Sequence, residues 1–289
     1  MTVHLESTVS FGMVGTSAVD RLHQNSPFRL DKFTFDSIKY RSESSKVFVG
    51  FDGESGRQCA VKIMAKARIM VNHQTHQAER ELCILSQLKH ENIIECFSWH
   101  HDASSIFIIM ERAECSISDY MRVRYPVGIQ DLVTQRITGH LVAAVAHLHR
   151  LNIIHRDIKP SNMLLVRESS GNLMVKLGDF GCAVHTNPRE LRRTIVGSSP
   201  YMAPELVLGH GYTFPVDIWS LGVSVYELLT GGNLPFDGNT PIEIYRQIVK
   251  TPYTPPPHLV STRLGDFLES CLYKDPKKRP TASDLLISL

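Results

Sequence analysis

Asp157, Lys159 and Asn162 lie within one short run, His155-Arg156-Asp157-Ile158-Lys159-Pro160-Ser161-Asn162, and a second acid follows twenty-two residues after Asp157, in Asp179-Phe180-Gly181. Two carboxylates and a carboxamide at that spacing can hold a hard metal ion and a hydroxyl group side by side. Each polar group flanks a short apolar run, Ile153-Ile154, Met163 to Val166 or Val175 to Leu177, which would fix it at a cleft. Either tripeptide alone would carry little weight, because three residues recur by chance. The ordered set is specific, since Lys62 stands upstream in Ala60-Val61-Lys62 and Ala203-Pro204-Glu205 stands downstream.

In this order the motifs resemble the signature of the eukaryotic-type protein kinase family, over residues from about 36 to 289. Lys159, two positions after Asp157, is similar to the serine/threonine pattern. The resemblance implies transfer of the γ-phosphate of ATP, with Mg2+, to Ser or Thr hydroxyls of protein substrates. It implies that Asp157 accepts or orients the acceptor proton, that Lys159 steadies the γ-phosphate, and that Asn162 and Asp179 are the Mg2+ ligands. Lys62 would contact the α- and β-phosphates with Glu81 as its ion-pair partner. Glu81 is preferred to Glu79 by register, standing nine residues before His90 in His90-Glu91-Asn92-Ile93. Val47, Ala60, a gatekeeper Met110 and the backbones of Glu111 and Ala113 complete the implied nucleotide set. Glu205 with Arg279 resembles a buried bracing pair, and Asp217 with Trp219, Ser220 and Gly222 resembles the start of a central helix.

One segment departs from the family. Where its pattern is Gly-x-Gly-x-x-Gly-x-Val, this chain has Tyr40-Arg41-Ser42-Glu43-Ser44-Ser45-Lys46-Val47, without a single glycine. Glycine lets backbone amides approach phosphate closely, so weaker or altered ATP binding is expected. The alternative is a pseudokinase or weakly active scaffold. Serine hydroxyls could also replace the lost amide contacts. Ser198 takes a position where many relatives have Thr and keeps the hydroxyl. Arg156, Arg192 and Arg193 beside Thr194 resemble an activation loop ordered by phosphate, and Thr194 is the expected target of an upstream activating kinase.

The elements needed to position these groups can be traced along the chain. Val47 to Val49 and Cys59 to Met64, joined across Asp52-Gly53-Glu54-Ser55-Gly56, predict a hairpin, and Ile106 to Met110 predicts a buried strand. Gln77 to Leu88 has helical spacing, as do Val133, Ile137, Leu141, Val145 and Leu148, and then Ile218, Leu221, Val225 and Leu228. The expected fold is α+β and bilobal: a strand-rich N-lobe over 36–110, a hinge over 111–113 and a helical C-lobe over 114–289, preceded by a flexible extension over 1–35.

Composition sets the remaining bounds. With 289 residues, 43% hydrophobic, the chain is long enough for two lobes with cores. A net charge of +2 gives no basic excess for nucleic acid, and the apolar runs are too short to span a membrane. Six cysteines without CxxC spacing predict reduced thiols and a cytoplasmic, or alternatively nuclear, protein.

Overall fold

The computed structural model of the chain describes residues 30–43, 45–72, 74–168, 171–187, 190–256 and 262–288. Most of the expected N-terminal extension therefore lies outside the described residues. Its last part belongs to the sheet: strand β1 (Phe33–Arg41) begins with Phe33, which is buried against Val61 and Ile109. The strand is hard to see in sequence because nearly all of its other residues face solvent.

β2 (Ser45–Asp52) and β3 (Gln58–Ala65) form the expected hairpin. A short helix α1 (Lys66–Val71), not anticipated from sequence, leads to α2 (Thr75–Leu85), which buries Ala78, Glu81, Leu82, Ile84 and Leu85. β4 (Cys96–His101) and β5 (Ser105–Glu111) complete an antiparallel sheet of order β1-β2-β3-β5-β4. Its register places function. Val47 lies opposite Lys62, and Ala60 opposite both Val49 and Met110. Directly opposed residues share a face, as do residues two apart on one strand, so Val47, Ala60, Lys62 and Met110 occupy one side of the sheet.

β6 (Cys115–Ser116) leads into α3 (Ile117–Arg124), whose first turn is capped by the Ser116 hydroxyl accepting from the Asp119 N–H. The long helix α4 (Asp131–Arg150) and short strand β7 (Ile153–Ile154) follow, and β8 (Met163–Arg167) and β9 (Leu173–Leu177) pair as a hairpin behind the cleft. β10 (Val184–His185) pairs with β7. The remaining helices are α5 (Pro204–Val207), α6 (Pro215–Leu229), α7 (Pro241–Lys250), α8 (Arg263–Cys271) and α9 (Ala282–Ser288).

One apolar core runs from Leu82 and Leu85 of α2 through Ile93 and Phe180 to Leu141 of α4 and Leu221 of α6, joining the strand-rich and helical halves. α6 is buried along most of its length, which explains its near-continuous apolar sequence. Arg279 closes the helical half with two bonds of 2.8 Å to the Glu205 carboxylate. Removing either partner would strand a buried charge at a cost on the order of 3–5 kcal/mol. No helix among the described residues is long and apolar enough to cross a membrane.

Candidate active site

The acid that opens the His155 to Asn162 run is held by everything around it. Asp157 Oδ1 accepts from the Ser198 N–H (3.0 Å) and the Ser198 hydroxyl (2.9 Å), and Oδ2 lies 2.8 Å from Lys159 Nζ and 3.0 Å from Asn162 Nδ2. Lys159 also donates to Ser198 Oγ at 2.6 Å. Burial alone would raise the Asp157 pKa, but the Lys159 ammonium and the Ser198 hydroxyl outweigh it and hold the carboxyl below its ordinary value. It is ionised at neutral pH.

The backbone beneath Asp157 is anchored from a distant helix. Asp217, buried at the start of α6, accepts the His155 N–H (2.9 Å) and the Arg156 N–H (2.8 Å) and meets His149 Nε2 at 3.0 Å. These bonds hold Arg156 at φ 68, a left-handed conformation costly for a non-glycine residue. His155 accepts the Asp157 N–H at Nδ1, so its Nε2–H donates to the Gly178 carbonyl at 3.1 Å, linking this loop to the second acid. Gly197 runs alongside at φ 108, where a Cβ would lie 2.5 Å from the Arg156 carbonyl.

Asp179 follows β9 in a left-handed conformation (φ 54) that turns Phe180 into the core, its ring edge-on to His155 at 5.0 Å. α2 packs against this turn. Glu81 on α2 accepts from Lys62 Nζ at 2.5 Å, and Asp179 Oδ1 stands 3.7 Å from the same ammonium. Burial pulls the Lys62 pKa down, but the two carboxylates more than compensate and hold it above its usual value. Lys62 is a fixed cation at the back of the cleft. Glu79 is directed elsewhere, 3.5 Å from His76 Nδ1, so the choice of register selects the carboxylate that is paired.

The oxygen donors fit a hard cation. Both bonds of the Asn162 amide nitrogen go to Asp157, to its carbonyl (2.8 Å) and its carboxylate (3.0 Å), which leaves the amide oxygen for another partner. The half-exposed Asp179 carboxylate is the other available oxygen ligand. Met110 ends the run opposite Ala60, and Glu111 accepts from Lys176 Nζ at 2.8 Å through both carboxylate oxygens, tying the connection between the halves to β9. Ala113 is half-buried and packs on the same core.

The glycine-free loop is a closed turn. The β1–β2 ladder continues through Tyr40 opposite Val47 and Arg41 opposite Lys46. The Ser42 N–H donates to the Ser45 carbonyl (2.8 Å), the Ser45 N–H to Ser42 Oγ (3.1 Å), and the two hydroxyls meet at 2.9 Å. Ser42 and Ser45, two of the serines that could replace phosphate-binding amides, are thus engaged with each other.

Several participants were not identified as site residues from sequence. The sequence marks Ser198 only for its hydroxyl, and its bonds to Asp157 and Lys159 depend on chain folding back over 41 and 39 residues respectively. Tyr212 accepts from Arg156 at 3.0 Å and donates to the Thr194 carbonyl at 2.7 Å. Arg80, next to Glu81, is pushed below its ordinary pKa by burial and by the charges of Arg156 and Arg192. Its position beside Glu81 was the available signal.

A family model for the protein kinase domain matches residues 41–288. Aurora kinase B of Mus musculus is 31% identical over 92% of this chain and 74% of its own length. Aurora kinase A-A of Xenopus laevis is 32% identical over 96% of the chain and 67% of its own length. The Aurora kinase of Yarrowia lipolytica is 33% identical over 89% and 68%. The scaffold alternative gains no support from these relatives or from the assembled charge set. With Lys62 paired to Glu81 and Asp157 ionised beneath the Ser198 segment, the chain belongs to the protein kinase family and is a serine/threonine protein kinase.

Proposed function

We propose that this kinase uses Mg-ATP, with Lys62, Asp157, Lys159, Asn162 and Asp179 as its working residues and Thr194 as its regulatory site. The observation that carries the reading is the Lys62–Glu81 pair at 2.5 Å with Asp179 beside it, a fixed cation next to an available metal ligand. Lys62 would neutralise the α- and β-phosphates. The Asn162 amide oxygen and the Asp179 carboxylate would hold Mg2+, which supplies charge neutralisation on the phosphates when bound, completing its shell with phosphate and water.

Asp157 is already saturated by four donors, close to the capacity of a carboxylate. An incoming substrate hydroxyl therefore displaces one of them. The substrate proton passes to Asp157 as its oxygen bonds the γ-phosphorus and the bond to the β-phosphate oxygen breaks, releasing ADP. Lys159, aligned by the Ser198 hydroxyl, follows the charge on the transferred group. Positioning and electrostatics then supply most of the rate.

Phosphate on Thr194 would meet a prepared cationic site. The charges of Arg156 and Arg192 both act on Arg80, and the Tyr212 phenol links the Thr194 carbonyl to Arg156. A dianion there attracts these charges and orders the segment carrying Ser198. The supporting experiment is phosphotransfer from labelled ATP to a generic protein acceptor by parent, Lys62→Met and Asp179→Asn. Parent activity with at least about a hundredfold loss in both variants is expected; equal signal in all three would defeat the reading.

A further inference from the structure

Tyr40 stands opposite Val47, and Val47 stands opposite Lys62, on three adjacent strands. Directly opposed residues project from the same face, so the Tyr40 phenol is directed over Val47 toward the Lys62 ammonium. A cavity of about 150 Å3 opens between Tyr40, Ser42, Lys62, Glu81, Asp179 and Gly181. Tyr40 and Lys62 line this cavity together.

Among the described residues of the turn above that cavity, two backbone donors are already engaged. The Ser42 and Ser45 amides are spent inside the turn, and the serine hydroxyls are bonded to each other. Tyr40 carries an O–H donor on a rigid ring, has no charge of its own to repel an anion, and is half exposed, so it can move onto a ligand. We propose that Tyr40 is a nucleotide-phosphate ligand of this kinase, its phenolic O–H donating to the phosphate oxygen held by Lys62, in place of loop amides. The proposal rests on the Mg-ATP reading above and adds the group that covers the phosphate.

The test compares parent and Tyr40→Phe in calorimetric binding of ATP, ADP and adenosine, and in steady-state kinetics. Loss of one hydrogen bond to a charged group predicts ATP and ADP binding weaker by about tenfold, with adenosine unchanged. KM for ATP should rise by a similar factor while kcat stays within about twofold. Unfolding temperature without nucleotide should not move, since the residue is exposed. Unchanged or tighter ADP binding by Tyr40→Phe would overturn the proposal, and so would an equal loss for adenosine, which would make the ring a contact to base or ribose. If the parent shows no phosphotransfer, the kinase chemistry fails while the contrast between ADP and adenosine still decides Tyr40.

Discussion

At the scale of single residues, Ser198 is the most informative side chain, because it touches both Asp157 and Lys159. Changing Ser198 to Ala removes one donor from Asp157 and one acceptor from Lys159, while leaving the Ser198 N–H bond in place. Steady-state kinetics should show kcat lower by about tenfold to a hundredfold with KM for ATP nearly constant, and Ser198→Thr should keep most of the activity. The sequence marks Asp157, Asn162, Asp179 and Lys62 as candidates because their motifs are local and ordered. It disclosed Glu81 through the fixed distance to His90. Tyr212 carried no such mark: its bond to Arg156 spans 56 residues and exists only after the segment from Arg192 has paired with it.

Among the elements, the segment from Ala183 to Ala203 carries Ser198 onto Asp157. Its backbone is pinned to Tyr212 by two reciprocal bonds at Arg192 (3.0 and 2.9 Å) and to Asp157 through Ser198. Between those pins, Thr194 and exposed Ile195 have no comparable backbone anchor beyond the Tyr212 phenol. Phosphorylation at Thr194 should therefore raise kcat, and Thr194→Ala should prevent that gain, reducing activity by about tenfold relative to phosphorylated parent. Mass spectrometry after incubation with an activating kinase, paired with kinetics, checks it; equal activity of parent and variant with no phosphate at this residue would remove the regulatory site. Elements were legible where a buried face repeated, as in α4 and α6. β1 escaped because one buried phenylalanine precedes a run of solvent-facing residues, and α1 because six residues are too few to reveal a period.

Across the whole molecule, the two halves meet at a pair of histidines. His90, just after α2, lies with its ring 4.8 Å from that of His147 on α4. Burial lowers both pKa values from 6.5, reinforced at His90 by the charge of His147 and at His147 by that of Arg150, while Glu91 opposes the effect at His90. The folded protein therefore binds fewer protons here than the unfolded chain. Stability is full above the unfolded value near 6.5 and falls as pH drops below it. Unfolding temperature measured from about pH 7.5 down to about pH 5.5 should decrease, and His147→Gln should flatten part of that decline. Asp157 and Asp217, with pKa values held down, add a second loss only in more acidic solution.

The turn closed by Ser42 and Ser45 also bears on the order of events in time. With the Ser42 and Ser45 amides fastened within the turn, fewer loop contacts are left to hold the spent nucleotide, and its release is expected to be fast. Bond breaking is then expected to set the pace of turnover. Turnover should accordingly be indifferent to added viscosogen, and a linear decline of kcat with relative viscosity would show that the turn does clasp its ligand.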